Sequence, residues 1–222
     1  MGYFIPDCVS TIILIRHVES VKNIRNIHGG CGDALTPEGV GQILTICNRL
    51  VAFNYLCPIS TIIYHSQNIQ VRETAVKLNV KLRVGISESS LINPAHLGRL
   101  HSLSDHEAKN EYPVEYELMQ KWRLREIDIA SLKVVGIEDP CTYLGKGKTF
   151  ISSLIKKNNI IICSTSAMIM LTHLLAGRSP VPGGGYKHIP INNGNMIFYQ
   201  NIKRSIIINE QYTDKHLLEY IS

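Results

Sequence analysis

The chain has 222 residues, of which 45% are hydrophobic and 18% charged, with a formal net charge of +5. That length suits a single α/β domain with a sizeable core, and the balance excludes a disordered chain. The positive charge is spread along the sequence, which suits a site for anions and is too diffuse for a nucleic-acid surface. In chain order, Thr11 to Ile15 is a β-branched apolar run, the pattern of a central strand covered on both faces. Thr36 and Pro37 then read as the N-cap and first residue of a helix that runs to about Val51. A second buried strand, Ser60 to Tyr64, precedes a helix over about 69–78. From Ser87 to Phe150 the pattern gives way to a polar, charged insertion with helical stretches near 104–110 and 115–123. A third apolar strand, Asn159 to Cys163, leads into a helix over 167–175. The tail returns to strands at Met196 to Tyr199 and Ser205 to Ile208, around a turn near Asn201 to Arg204. Alternation of strand and helix predicts a three-layer α/β/α sandwich with a mainly parallel central sheet. It is read as one domain over 1–222 with a helical cap inserted at about 87–150.

Six cysteines (Cys8, Cys31, Cys47, Cys57, Cys141 and Cys163) lie far apart with no CxxC pair, which argues against a zinc knot and suits a reducing compartment. Met1 to Ser10 lacks the basic region of a signal peptide, and the Met-Gly start has Pro6 where a myristoylation signal needs Ser or Thr. The apolar run Ile12 to Ile15 is far too short to cross a bilayer. A cytoplasmic protein with no membrane partner is expected.

At the end of the first strand stands Arg16-His17-Val18-Glu19-Ser20-Val21-Lys22-Asn23. Downstream come Asp33-Ala34-Leu35-Thr36-Pro37-Glu38-Gly39 with Gln42, and then Tyr64-His65-Ser66 followed by Thr74-Ala75. In this order and spacing they resemble the RH-G-E-[ST]-x-x-N, D-x-x-LTxxGxxQ and SS…TA segments of the histidine phosphatase (phosphoglycerate-mutase-like) superfamily. The placement agrees, because ligands of open α/β sheets bind at the carboxyl ends of strands. The resemblance implies a phosphatase or phosphotransferase that carries a phosphoryl group on His17. A neutral imidazole can attack phosphorus and split one hard step into two. Arg16 would keep His17 uncharged and grip phosphate oxygens with its forked donors. Asn23 and Ser20 would line the same pocket. The resemblance implies no metal or organic cofactor, and no metal-ligand spacing is visible. The implied partner is a small phosphorylated or anionic substrate; a homodimer is left open.

The sequence departs from the family pattern at three places. Gln70 stands where a second arginine is usual; Arg72 is nearby, but two residues along a helix rotate it to the opposite face. Thr165 falls at or near the second histidine, within Ser164-Thr165-Ser166, whose hydroxyls could cradle an anion at a helix N-terminus or merely cap it. The usual acid glutamate falls on Asn93 or Pro94, neither of which donates a proton at neutral pH; His96, Asp105 or Glu107 could substitute geometrically, although a surface cap residue is the simpler expectation for each. The glycine-rich loop from His28 to Asp33 would let backbone approach a ligand. Lys187 or His188 could reach an anion, although solvated loop residues are the simpler expectation. Trp122 reads as a packed anchor with Arg123 and Arg125 solvated, and Glu138 lies in a turn that could face the site. Against the enzyme stands a catalytically silent or repurposed anion-binding protein on the same fold, or one catalysing a different transfer. A nucleotide-binding domain is weakly supported, since neither GxGxxG nor GxxxxGK[ST] is present.

Overall fold

A computed structural model describes residues 11–52, 58–154, 159–177, 185–200 and 205–208. Met1 to Ser10 with Cys8, together with Cys57, Gly183, Gly184 and the 201–204 turn, lie outside the described residues. The elements run β1 (Thr11–Arg16), α1 (Val21–Ile24), α2 (Pro37–Ala52), β2 (Thr61–His65), α3 (Ile69–Leu82) and β3 (Gly85–Glu88). There follow α4 (Asp105–Glu111), α5 (Pro113–Arg123), α6 (Pro140–Ser152), β4 (Asn159–Ser164), α7 (Ala167–Leu175), β5 (Met196–Gln200) and β6 (Ser205–Ile208).

The strands form one sheet in the order β3-β2-β4-β1-β5-β6. β1 to β4 are mutually parallel, and β5 and β6 join antiparallel, so the mainly parallel three-layer fold expected above is the one found. Side-chain alternation along each central strand explains the layers. Ile12 and Leu14 of β1, with Ile160 and Ile162 of β4, join a core that takes in α5, α6 and α7. Ile13 and Ile15, with Ile161 and Cys163, face the opposite core, built on α2 and α3. Cys163 is thus a buried packing residue, as its apolar setting suggests.

Two elements go beyond the sequence reading. Gly85–Glu88 is a short edge strand, parallel to β2, at the start of the stretch read as an insertion. Pro140–Ser152 is a helix, with Asp139 accepting from Thr142 N at 2.7 Å as its N-cap. Its glycines obscure it: a Cβ on Gly147 would meet Met170 and Leu174 at 2.6 and 2.9 Å, so this glycine lets α6 lie close to α7. No helix among the described residues is long and apolar enough to cross a membrane.

Candidate active site

β1 ends at Arg16, and the chain turns at once into the motif loop. His17 N donates to Ser164 O of β4 at 3.1 Å, which fixes the histidine at the carboxyl edge of two adjacent central strands. The residue is 2% exposed. Nδ1 lies 2.8 Å from Val18 O, so it carries the proton and donates it there, leaving the Nε2 lone pair for a ligand. Burial, then the charges of Arg16 and Lys22, push the His17 pKa down to about 3, with the Val18 bond opposing them in part. The imidazole is therefore neutral at physiological pH, the form a nucleophile needs.

The other motif residues hold this loop in place. Thr36 Oγ1 donates to Glu19 Oε1 at 2.7 Å, and Glu19 N donates to Gln42 Oε1 at 3.1 Å. Gly39 is packed so tightly that an added Cβ would come 2.1 Å from Glu19 O. Ser20 turns its hydroxyl to Asn23 Oδ1 at 2.8 Å. That same oxygen accepts from Ser20 N at 3.0 Å and from Asn193 Nδ2 at 3.2 Å, so the Asn23 amide group has its NH₂ left for a ligand. Asn193 Nδ2 also donates to His17 O at 3.0 Å.

A cavity of about 370 Å³ opens over His17. Arg16, Asn23, Gln70, Thr165, Ser166 and His28, all named from sequence, line it. Gln70 is buried, with Oε1 accepting from Asp33 N at 3.3 Å, so its NH₂ is the donor it can present. The glycine-rich loop approaches closely, with Gly29, Gly30 and Gly32 at φ of 55°, 80° and 100°. Four residues named from sequence lie outside the wall. Ser20 is absent from the cavity wall because it caps α1, and Ser164 because its hydroxyl donates to Ile92 O at 2.9 Å. Arg72 is exposed on α3, away from Gln70, as helical rotation requires. His96 is exposed and stacked on His101 at 4.1 Å, outside the cavity.

The carboxylates weighed from sequence also lie outside the wall. Glu107 closes a capping box with Ser104, Glu138 pairs with Lys146 at 2.5 Å, and neither lines the cavity. Asp105 reaches His28 Nε2 at 2.9 Å and Arg123 at 3.3 Å behind the wall. Lys187 donates to the carbonyls of Arg125 and Glu126, away from the cavity.

Two charged lining residues, Lys22 and Arg123, escape the sequence reading, and a third residue, His188, reads there as able to reach an anion but more simply as solvated. Lys22, a spacer in the motif, lines the cavity, and burial pulls its pKa down to about 8, with Cys31 opposing and Arg16 assisting. Arg123, expected in solvent, reaches the wall from α5 and donates to His28 Nδ1 at 2.9 Å. His188 also lines it; Nδ1 is buried without a hydrogen-bond partner among the described residues, and the ring meets Trp122 edge-on at 4.8 Å. Burial, then Arg123, Arg16 and Arg125, lower its pKa to about 4. No local sequence signal links Arg123 or His188 to His17, because chain topology alone brings them together.

The assembled wall holds Arg16, Lys22 and Arg123, three histidines held neutral and, among the described residues, no carboxylate. It can bind an anion and present one neutral imidazole nitrogen to it. No curated protein sequence matches the chain. Solved structures that resemble it include Bacillus stearothermophilus YhfR, at 16% identity and a TM-score of 0.73, covering 93% of this chain and 98% of that one. A mycobacterial glucosyl-3-phosphoglycerate phosphatase in complex with VO3 matches at 15% identity and a TM-score of 0.69, covering 90% and 98%. The alpha-ribazole phosphatase of Shigella flexneri matches at 16% and 0.68, covering 90% and 94%. At such identities these likenesses show the fold. The profile of the histidine phosphatase superfamily (branch 1) matches residues 12–197, and to that superfamily the chain belongs.

Proposed function

We propose that the protein is a phosphatase or phosphotransferase for a small phosphorylated metabolite, working through a phosphohistidine at His17. The observation that carries this reading is the His17 ring, with Nδ1–H fixed on Val18 O and Nε2 left as a lone pair beside Arg16. Superfamily membership and the phosphatase names of similar structures support it. In the first step Nε2 attacks phosphorus and the ester P–O bond breaks, the electron pair leaving with the alcohol oxygen. Arg16, Lys22 and the Asn23 amide offset the charge spread over the phosphoryl oxygens. In the second step water, or another acceptor alcohol, attacks the phosphohistidine and the P–N bond breaks. Among the described residues no carboxyl group lines the cavity to protonate the departing oxygen. Turnover should therefore depend steeply on how good a leaving group the alcohol is. The cap at about 87–150 supplies Met119, Trp122 and Arg123 to the wall, and we assign substrate choice to it.

A second reading, an anion-binding protein without turnover, is favoured by Gln70, Thr165 and the missing acid. The deciding experiment is a phosphate-release panel of phosphorylated metabolites and aryl phosphates, with His17→Ala alongside and mass spectrometry for an acid-labile adduct. Release and an adduct that both vanish in the variant support the enzyme. Phosphate binding with neither release nor adduct on any substrate overturns it.

A further inference from the structure

The cavity is far larger than one phosphoryl group, and its walls are of two kinds. Around His17 stand the polar donors already described. Beyond them Met119, Trp122, Ile129, Tyr143, Ile169 and Tyr186 line the cavity, and all six belong to the core that packs α5, α6 and α7 on the sheet. The wall is thus the edge of a built core rather than a loose set of surface side chains. The Tyr143 hydroxyl is buried without a hydrogen-bond partner among the described residues, whereas the indole N–H of this wall is engaged within the protein. Trp122 Nε1 donates to Tyr186 O at 3.4 Å, and Ile129 N donates to the same oxygen at 3.0 Å. What these residues offer a ligand is chiefly aromatic and aliphatic surface.

Charge on the wall is lopsided as well. Arg16 and Lys22 make no ion pair among the described residues, and both belong to the motif that carries His17. Arg123 is the cation that the cap brings to the wall, and it is already paired with Asp105 at 3.3 Å. A substrate with a second anionic group would find little to hold that group beyond the phosphoryl end. An uncharged ring would instead remove apolar wall from water, the main driving force for binding in pockets of this kind.

We propose that this cavity takes a phosphate monoester whose alcohol half is an uncharged aromatic or alicyclic ring, the ring lying against Trp122, Ile129, Tyr143 and Tyr186. The assignment of the phosphoryl end rests on the function proposed above; the ring end rests on the wall itself. Phosphonates, whose P–C bond is not cleaved, read binding without turnover. Titration calorimetry should give benzylphosphonate an affinity about 10- to 100-fold above methylphosphonate, from buried ring area. Phosphonoacetate, which adds a carboxylate, should bind no better than methylphosphonate. Ile129→Asn should shrink the benzyl advantage several-fold and leave methylphosphonate unchanged; if that variant fails to fold, the wild-type series decides alone. Equal affinities, or tightest binding of phosphonoacetate, overturn the proposal. Benzyl phosphate then separates the two ideas. Ring preference without a His17 adduct overturns phosphoryl transfer and leaves the ring site standing, whereas an adduct without ring preference does the reverse.

Discussion

Lys22 is a lysine kept where its charge is costly. Burial lowers its pKa to about 8, so it is protonated at neutral pH and loses its proton just above it. Arg16, although lowered to about 10 by burial and then by Arg123, keeps its charge throughout that range. Anion affinity should therefore be flat from pH 6 to 7 and fall as pH rises past about 8, somewhat later once a bound anion favours the ammonium. Sulfate is the suitable probe, because it does not titrate there. In Lys22→Met the alkaline fall should disappear, and affinity at pH 7 should drop about 10- to 100-fold, the loss of one charged hydrogen bond. An unchanged profile in the variant would remove Lys22 from the site. Arg16, His17, Asn23, Gln70 and Thr165 are readable from sequence because a short motif or a strand end fixes each. Lys22 sits inside that motif and reads as a spacer, since nothing local tells a half-buried lysine from a solvated one. Arg123, His188 and Asn193 come from distant segments whose convergence depends on tertiary packing.

Among the elements, α2 bears most directly on the site although it contributes no residue to the cavity. Its N-terminal turn clamps the motif loop through Thr36, Gly39 and Gln42. Gly39→Ala would raise helix propensity, a gain of up to about 1 kcal/mol. Against this, its Cβ would come 2.1 Å from the Glu19 carbonyl, a backbone atom that cannot swing aside. Overpacking of this kind costs about 1–3 kcal/mol, so the clash should win. Urea unfolding should show a net loss of stability, and sulfate affinity should fall with it as the loop carrying His17 shifts. A more stable Gly39→Ala would show that the clamp is slack. Helices and strands with regular apolar periods, such as β1, α2, β4 and α7, are legible from sequence. β3 escapes because it has four residues, mostly exposed on the sheet edge. α6 escapes because Gly145 and Gly147 weaken its pattern, the second serving a close approach to α7 that only the folded chain reveals.

At the scale of the whole molecule, the site draws on the stability of the fold through its histidines. His17 and His188 are held at about 3 and 4, against 6.5 for a free histidine, and His28 and His101 are lowered too. Burial is the leading cause for each. A group whose folded pKa lies below its unfolded one stabilises the fold fully above the unfolded pKa. That contribution is lost as pH falls toward the folded value, because the unfolded chain takes up protons that the folded one refuses. Stability should therefore decline from about pH 6.5 downward, before carboxylates begin to titrate. Between pH 6 and 5, unfolding should take up about one to two protons from His17 and His188 together. Urea midpoints across that window measure the uptake. His188→Gln, which keeps a polar side chain that cannot be protonated there, should flatten the slope by up to one proton. A slope as steep as wild type would mean that His188 titrates normally in the folded protein. Bound sulfate works the other way, since a dianion beside His17 and His188 favours their protonated forms. Saturating sulfate should accordingly stabilise the protein more at pH 5 than at pH 7, a linkage that ties the charge of the cavity to the stability of the whole chain.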